Sequence, residues 1–127
     1  MSRALLLTIA AAATALCSAA PAFAQPGQSC FRLSQLASTR ADGDQRIYAR
    51  VNVNEYYRID LAHRCSSLPF ADRGLVLTPA AGNDLICSPI DLDLKVNDHG
   101  ALEACFIQSI TKLTPAEVAA IPKKAKP

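Results

Sequence analysis

Charge of one sign is what this sequence has least of. Thirteen lysines and arginines stand against eleven aspartates and glutamates over 127 residues, a formal net of +2. That balance gives no electrostatic argument for nucleic acid or for a strongly acidic partner. No apolar stretch reaches the roughly 20 residues that a membrane-spanning helix needs, so no span is expected once the leader described below is removed. The cysteines form no close C-x-x-C pairs of the kind structural zinc sites use. Ser66, Ser67 and Ser88 stand near cysteines but outside any G-x-S-x-G setting. The two histidines, His63 and His99, have no nucleophile or ligand at a recognisable spacing. From these absences no catalytic residue, metal site or cofactor is expected.

What is present begins with an export signal. Arg3 supplies a positive start, the run Ala4 to Leu16 is broken only by Thr8 and Thr14, and Pro21 precedes Ala22-Phe23-Ala24. Positive, apolar, then small-x-small is the order that a signal peptidase reads. Residues 1–24 are therefore expected to be a signal peptide cleaved after Ala24. Cys17 lies inside it, preceded by Leu16 rather than by the small residue a lipoprotein signal places there. With no composition shift beyond it, Gln25 to Pro127 reads as a single β-rich domain. Residues 122–127, which carry Lys123, Lys124 and Lys126, are expected to be a flexible basic tail. The destination is periplasmic or secreted.

The remaining cysteines, Cys30, Cys65, Cys87 and Cys105, are even in number in a chain addressed to an oxidising space. A domain of this size makes only a modest core, and cross-links offset that weakness. Four cysteines allow three pairings. The nested one, Cys65–Cys87 inside Cys30–Cys105, is the expectation.

Alternation dominates the pattern. Ile47, Ala49 and Val51 alternate with Arg46, Tyr48 and Arg50; after Asn52-Val53-Asn54, Tyr57, Ile59 and Leu61 alternate with Tyr56, Arg58 and Asp60. Period-two patterns on either side of an asparagine-containing turn describe a β-hairpin. Leu75–Leu77 and Leu85–Cys87, separated by Pro79 to Asn83, are expected to form a second hairpin. Ile90, Leu92, Leu94 and Val96 read as one face of a strand, with Asp91, Asp93 and Lys95 on the other. Asn97-Asp98-His99-Gly100 turns the chain into a strand over Leu102 to Ile110, apolar on both faces about Cys105 and so expected to be central or covered. Phe31 to Thr39 fits a short helix or a strand. Thr114-Pro115-Ala116-Glu117 has the N-cap, first-turn proline and third-position acid of a capping box. The fold class is all-β, a small antiparallel barrel or sandwich with one short C-terminal helix, stabilised by disulfides. A weak echo between Cys30-Phe31 and Cys105-Phe106 suggests first-to-last strand pairing that closes a barrel.

Three groups merit a chemical reading. Asp91 and Asp93, two apart on a strand, share a face about 7 Å apart, but a working carboxylate pair needs one partly buried member, and these are expected to face water. His63 or His99 beside a carboxylate is the alternative reading, a small periplasmic hydrolase. The third group is Arg46, Tyr48, Arg50, Tyr56 and Arg58, which line one face of the hairpin. Guanidinium stacks on phenol and grips carboxylate or phosphate with two hydrogen bonds, so this face is the candidate binding site, for an envelope protein or a glycan.

The order of a first cysteine, then Arg50-Val51-Asn52, Tyr57-Arg58-Ile59-Asp60-Leu61 leading to Cys65, Leu68, Ile86-Cys87-Ser88-Pro89-Ile90-Asp91 and Cys105-Phe106-Ile107 resembles a proteobacterial family. Its members are small exported or lipoprotein domains of unknown function with four spaced cysteines. The resemblance runs from Cys30 to Leu113 and implies export and disulfides, with no activity or site residue attached. The function expected is that of an uncharacterised exported protein, a non-catalytic binding or envelope accessory module. Material recovered from the cell envelope should begin at Gln25 by N-terminal sequencing; an intact Met1 on a soluble cytosolic species would contradict the export reading.

Overall fold

The computed structural model describes residues 29–71 and 74–127. The expected leader, with Cys17 and the Ala24–Gln25 junction, lies outside the described residues. In chain order the strands are Phe31–Arg32 (β1), Leu36–Ala41 (β2), Arg46–Val51 (β3), Glu55–Leu61 (β4), Leu75–Pro79 (β5), Leu85–Ile86 (β6), Leu92–Asp98 (β7), Ala101–Cys105 (β8) and Ile107–Lys112 (β9). The helix Pro115–Ala120 (α1) follows them. They form three antiparallel sheets, ordered β2-β3-β4-β9, β5-β7-β8 and β1-β6.

The hairpin read from alternation is the centre of this arrangement. β3 and β4 pair from Arg46↔Asp60 to Val51↔Glu55, and Asn52 takes the positive φ of +52° that lets the chain reverse. Their inner residues, Ile47, Ala49, Val51, Tyr57, Ile59 and Leu61, are buried in one cluster with Leu92, Leu94 and Val96 of β7. Each large side chain so enclosed contributes roughly 1.5–3 kcal/mol of transfer free energy. Two sheets packed face to face on alternating apolar residues make this an all-β, sandwich-like fold, not a closed barrel. β1 pairs with β6 rather than with the last strand, so the expected closure does not occur.

β7 and β8 meet through a two-residue turn. Asp98 faces Ala101, and His99 and Gly100 between them have φ of +50° and +95°. Two positive φ values at the centre are what a type I′ hairpin turn requires. Gly74 is fixed for a different reason: a Cβ there would lie 2.6 Å from the carbonyl oxygen of Asn97, whose amide donates to the Gly74 carbonyl.

Several expectations are corrected. β5 pairs with β7 and β6 with β1, so residues 75–87 are not a hairpin. The strand expected from Ile90 starts at Leu92, because Asp91 instead caps a 3-10 turn, Pro89–Asp91; Ile90 is 82% exposed, and Asp91 and Asp93 do not share a strand face. The strand expected over 102–110 breaks at Phe106, its halves lying at the edges of different sheets. Residues 122–127 are not a loose tail: Lys123–Ala125 form a 3-10 turn, and Ala125 is fully buried in a cluster with Tyr48, Leu113 and Ile121.

The cysteine pairing also differs. The bridges are Cys30–Cys87 and Cys65–Cys105, with Cα atoms 4.2 and 5.8 Å apart. Strand register gives the reason. Phe31↔Ile86 and Arg32↔Leu85 in the β1–β6 pair bring Cys30 opposite Cys87, one step further along. Leu61 pairs with Ile107, and the Ala62 amide donates to the Phe106 carbonyl, which carries the chain after β4 to Cys105. Non-reducing peptide mapping should return these two bridges. Replacing Cys65 and Cys105 together by alanine should lower stability by about 4 kcal/mol in urea unfolding, the chain-entropy value for a loop of that length; a change under about 1 kcal/mol would contradict it.

Candidate functional site

Because β3 and β4 bury one set of alternating residues, the other set lines the outer face of the four-stranded sheet. Pairing register places its members. Tyr48 stands opposite Arg40 on β2 and Arg58 on β4, while Arg46 and Arg50 flank it two residues away on its own strand. Directly opposed Cβ atoms lie about 5 Å apart, and alternate residues along a strand about 7 Å apart. Four guanidinium-bearing side chains thus ring one phenol. Arg40 is the member that alternation in the hairpin alone did not reveal, since β2 was ambiguous in sequence.

Arg46 and Arg58 converge on one carboxylate. Arg46 Nε lies 2.9 Å from Asp60 Oδ1, and Arg58 Nε 2.8 Å from Asp60 Oδ2. Burial alone would raise the Asp60 pKa; the hydrogen bonds and charges of the two arginines outweigh it and hold the carboxyl below its ordinary value of 3.8. Arg50 Nε reaches Ser38 Oγ at 3.3 Å. At the Asp60 end the face opens into a cleft of about 580 Å³ whose lining includes Asp42, Asp44, Arg46, Asp60, Gln108 and Ser109.

Arg46, Tyr48, Arg50, Tyr56 and Arg58 share one sheet face, and the centre of that face is covered. After β9 the chain turns back over the sheet: the Leu113 amide donates to the Tyr56 carbonyl at 2.8 Å, and α1 follows with its Thr114–Glu117 capping box in place. Ile121 and Ala125 then cover Tyr48, leaving it 7% exposed, with Tyr56 and Val118 packed partly against them. Arg58 also lowers the Glu117 pKa, after the larger effect of the Thr114 backbone and side-chain hydrogen bonds, so the strap passes close to that guanidinium.

The other candidates have different surroundings. His63 is exposed. His99 Nδ1 bonds Asp98 Oδ1, and Ser67 Oγ lies 3.3 Å from Asp98 Oδ2. The carboxylate stands between hydroxyl and imidazole, the reverse of the order in which an imidazole takes a proton from a nucleophile. Asp91 Oδ2 accepts from the Cys87 amide at 3.0 Å and from the Ser88 amide and hydroxyl at 2.8 and 3.0 Å, and these bonds lower its pKa. The four-residue step from Cys87 to Asp91 therefore builds a turn behind a disulfide. Glu103 lies with Cys65 and Cys105 in a cluster of donor atoms within 4.8 Å of one another, but the two sulfurs are joined and the carboxylate holds the Ser66 and Ser67 amides. The Tyr57 hydroxyl is buried without a hydrogen-bond partner, and desolvation raises its pKa.

A family model matches residues 1–127. The chain belongs to DUF6491, a family of unknown function. No curated protein and no solved structure matches it. For DUF6491 in this chain, the chemistry of the site rests on its own residues, above all the arginines around Tyr48.

Asp60 gives that face a measurable signature. Its folded pKa lies below the unfolded value, so the stability it contributes is present at neutral pH and is lost as pH falls from about 4 through the lowered folded value. Asp60→Asn should destabilise the protein by about 1–2 kcal/mol at pH 7, and the gap to wild type should narrow below pH 4. A gap of the same size at both pH values in denaturant titrations would show that the carboxylate is not what pairs the two arginines.

Proposed function

We propose that this protein is an exported, disulfide-stapled binding module of the cell envelope, acting without catalysis, and that the outer face of β2-β3-β4-β9 receives an anionic partner. The export pattern of residues 1–24 supports the location, and two formed disulfides fit an oxidising space outside the cytoplasm. Among the described residues no helix is long and apolar enough to cross a membrane.

The observation that carries the binding reading is the ring of Arg40, Arg46, Arg50 and Arg58 about Tyr48. On this face the sheet carries four of the eleven described lysines and arginines, Arg40, Arg46, Arg50 and Arg58, beside Asp42, Asp44 and Asp60, and the strap adds Lys123, Lys124 and Lys126 with Glu117. Guanidinium grips carboxylate, sulfate and phosphate with paired hydrogen bonds.

Heparin, a sulfated polysaccharide, serves as a defined anionic probe. The wild-type protein should be retained on immobilised heparin at about 0.1 M salt and released as ionic strength rises. Arg50→Ala with Arg58→Ala should abolish retention while the protein stays folded, its melting temperature falling no further than that of Asp60→Asn. Arg32→Ala with Lys95→Ala, which removes the same charge from elsewhere, should leave retention in place. Equal loss in both double variants, or no retention of wild type, would overturn the proposal.

A further inference from the structure

The centre of the arginine ring is occupied by the protein's own C-terminus, and this occupant has the character of a stand-in. Its contact with Tyr48 is apolar, made by Leu113, Ile121 and Ala125 with Val118 beside them. Its polar groups are largely satisfied within the strap. Thr114 and Glu117 bond each other, the Val118 amide donates to Thr114, Ile121 to Val118, and Ala125 to Pro122. A segment that closes its own hydrogen bonds can leave a surface without stranding buried donors, so its removal costs little beyond the apolar contact.

What would replace it follows from the same geometry. Strand register sets four arginine positions around the phenol, two of them bonded to Asp60; over it lies a small apolar cover that includes Ile121 and Ala125. A ligand that exchanges for the strap must offer a flat apolar patch to the ring and anionic groups to the rim. A sugar ring bearing carboxylate, sulfate or phosphate does both, its C–H face against the aromatic and its substituents against the arginines. We infer that residues 114–127 are a displaceable lid, and that the ligand of this face is an anionic polysaccharide that exchanges with Ile121 and Ala125 over Tyr48. The inference rests on the anion-binding reading above and adds to it the ligand class and the movement.

In the intact protein, hydrogen exchange at the Ile121 and Ala125 amides should quicken when heparin is bound, because single turns that lose their packing against Tyr48 fray even though their acceptors travel with them. Exchange that stays the same or slows under saturating heparin would overturn the lid. Ala125→Gln in the full-length chain provides the second measurement, since a longer side chain at a fully buried position lifts the strap with no change of charge. It should tighten heparin binding about tenfold, the gain expected when a lid closed about nine-tenths of the time is opened. Binding of inorganic polyphosphate, an anion without a sugar ring, should not change. Equal tightening for both polyanions would remove the sugar from the proposal, and no tightening for either would remove the lid. Both of those outcomes leave the arginine site standing if wild type still binds and the Arg50/Arg58 double variant does not. Absence of heparin binding by the wild type would instead sink the site itself.

Discussion

The packing of Ile47, Ala49 and Val51 with Tyr57, Ile59 and Leu61 against Leu92, Leu94 and Val96 sets the position of nearly everything else. Side chains alternate along a strand, so a slip of one residue in the β3–β4 pairing would put arginines into the core. Burial of charge without a partner costs several kcal/mol, and the register is held accordingly. Once it is held, Arg46, Tyr48 and Arg50 have no choice but to share the opposite face with Tyr56, Arg58 and Asp60. The site is a by-product of core register, which explains how Arg40, Arg46, Arg50 and Arg58 meet on one face without any local run of arginines.

How far the sequence disclosed this depended on whether the deciding contact was local. The hairpin was legible because both its strands and its turn lie within sixteen residues, Arg46–Leu61, and the pattern repeats with a period of two. The α1 cap was legible because Thr114, Pro115 and Glu117 carry their signal at fixed spacing. Pairings between distant segments were not. Nothing in Leu75–Leu77 or Leu85–Ile86 names a partner, and proximity in sequence suggested each other where the chain chose β7 and β1. Ile90 was misplaced because the Asp91 side chain competes for backbone amides and wins, converting the start of an apparent strand into a turn. The halves about Phe106 looked like one strand because a change of sheet leaves no mark in hydropathy.

The site was half legible for the same reason. Arg46, Tyr48, Arg50, Tyr56 and Arg58 follow from alternation. Their covering does not, because the apolar residues responsible are Ile121 and Ala125, two positions among lysines and prolines whose composition reads as solvated. The lysines do remain in solvent; the residues between them fold down. Arg40 was hidden by the irregular start of its strand, where a 3-10 turn at Leu33–Gln35 and a register shift between Leu36 and Ser38 disguise the period.

The crossed arrangement of the two bridges has a consequence for biogenesis. A polypeptide threaded N-terminus first into an oxidising space presents Cys30 and Cys65 together before Cys87 and Cys105 have arrived, and neither of the first two is the other's native mate. A dithiol oxidase acting on cysteines in order of emergence would join the wrong pair. Maturation by such a route would require either that oxidation wait for the whole chain or that an isomerase reshuffle an early error through mixed disulfides.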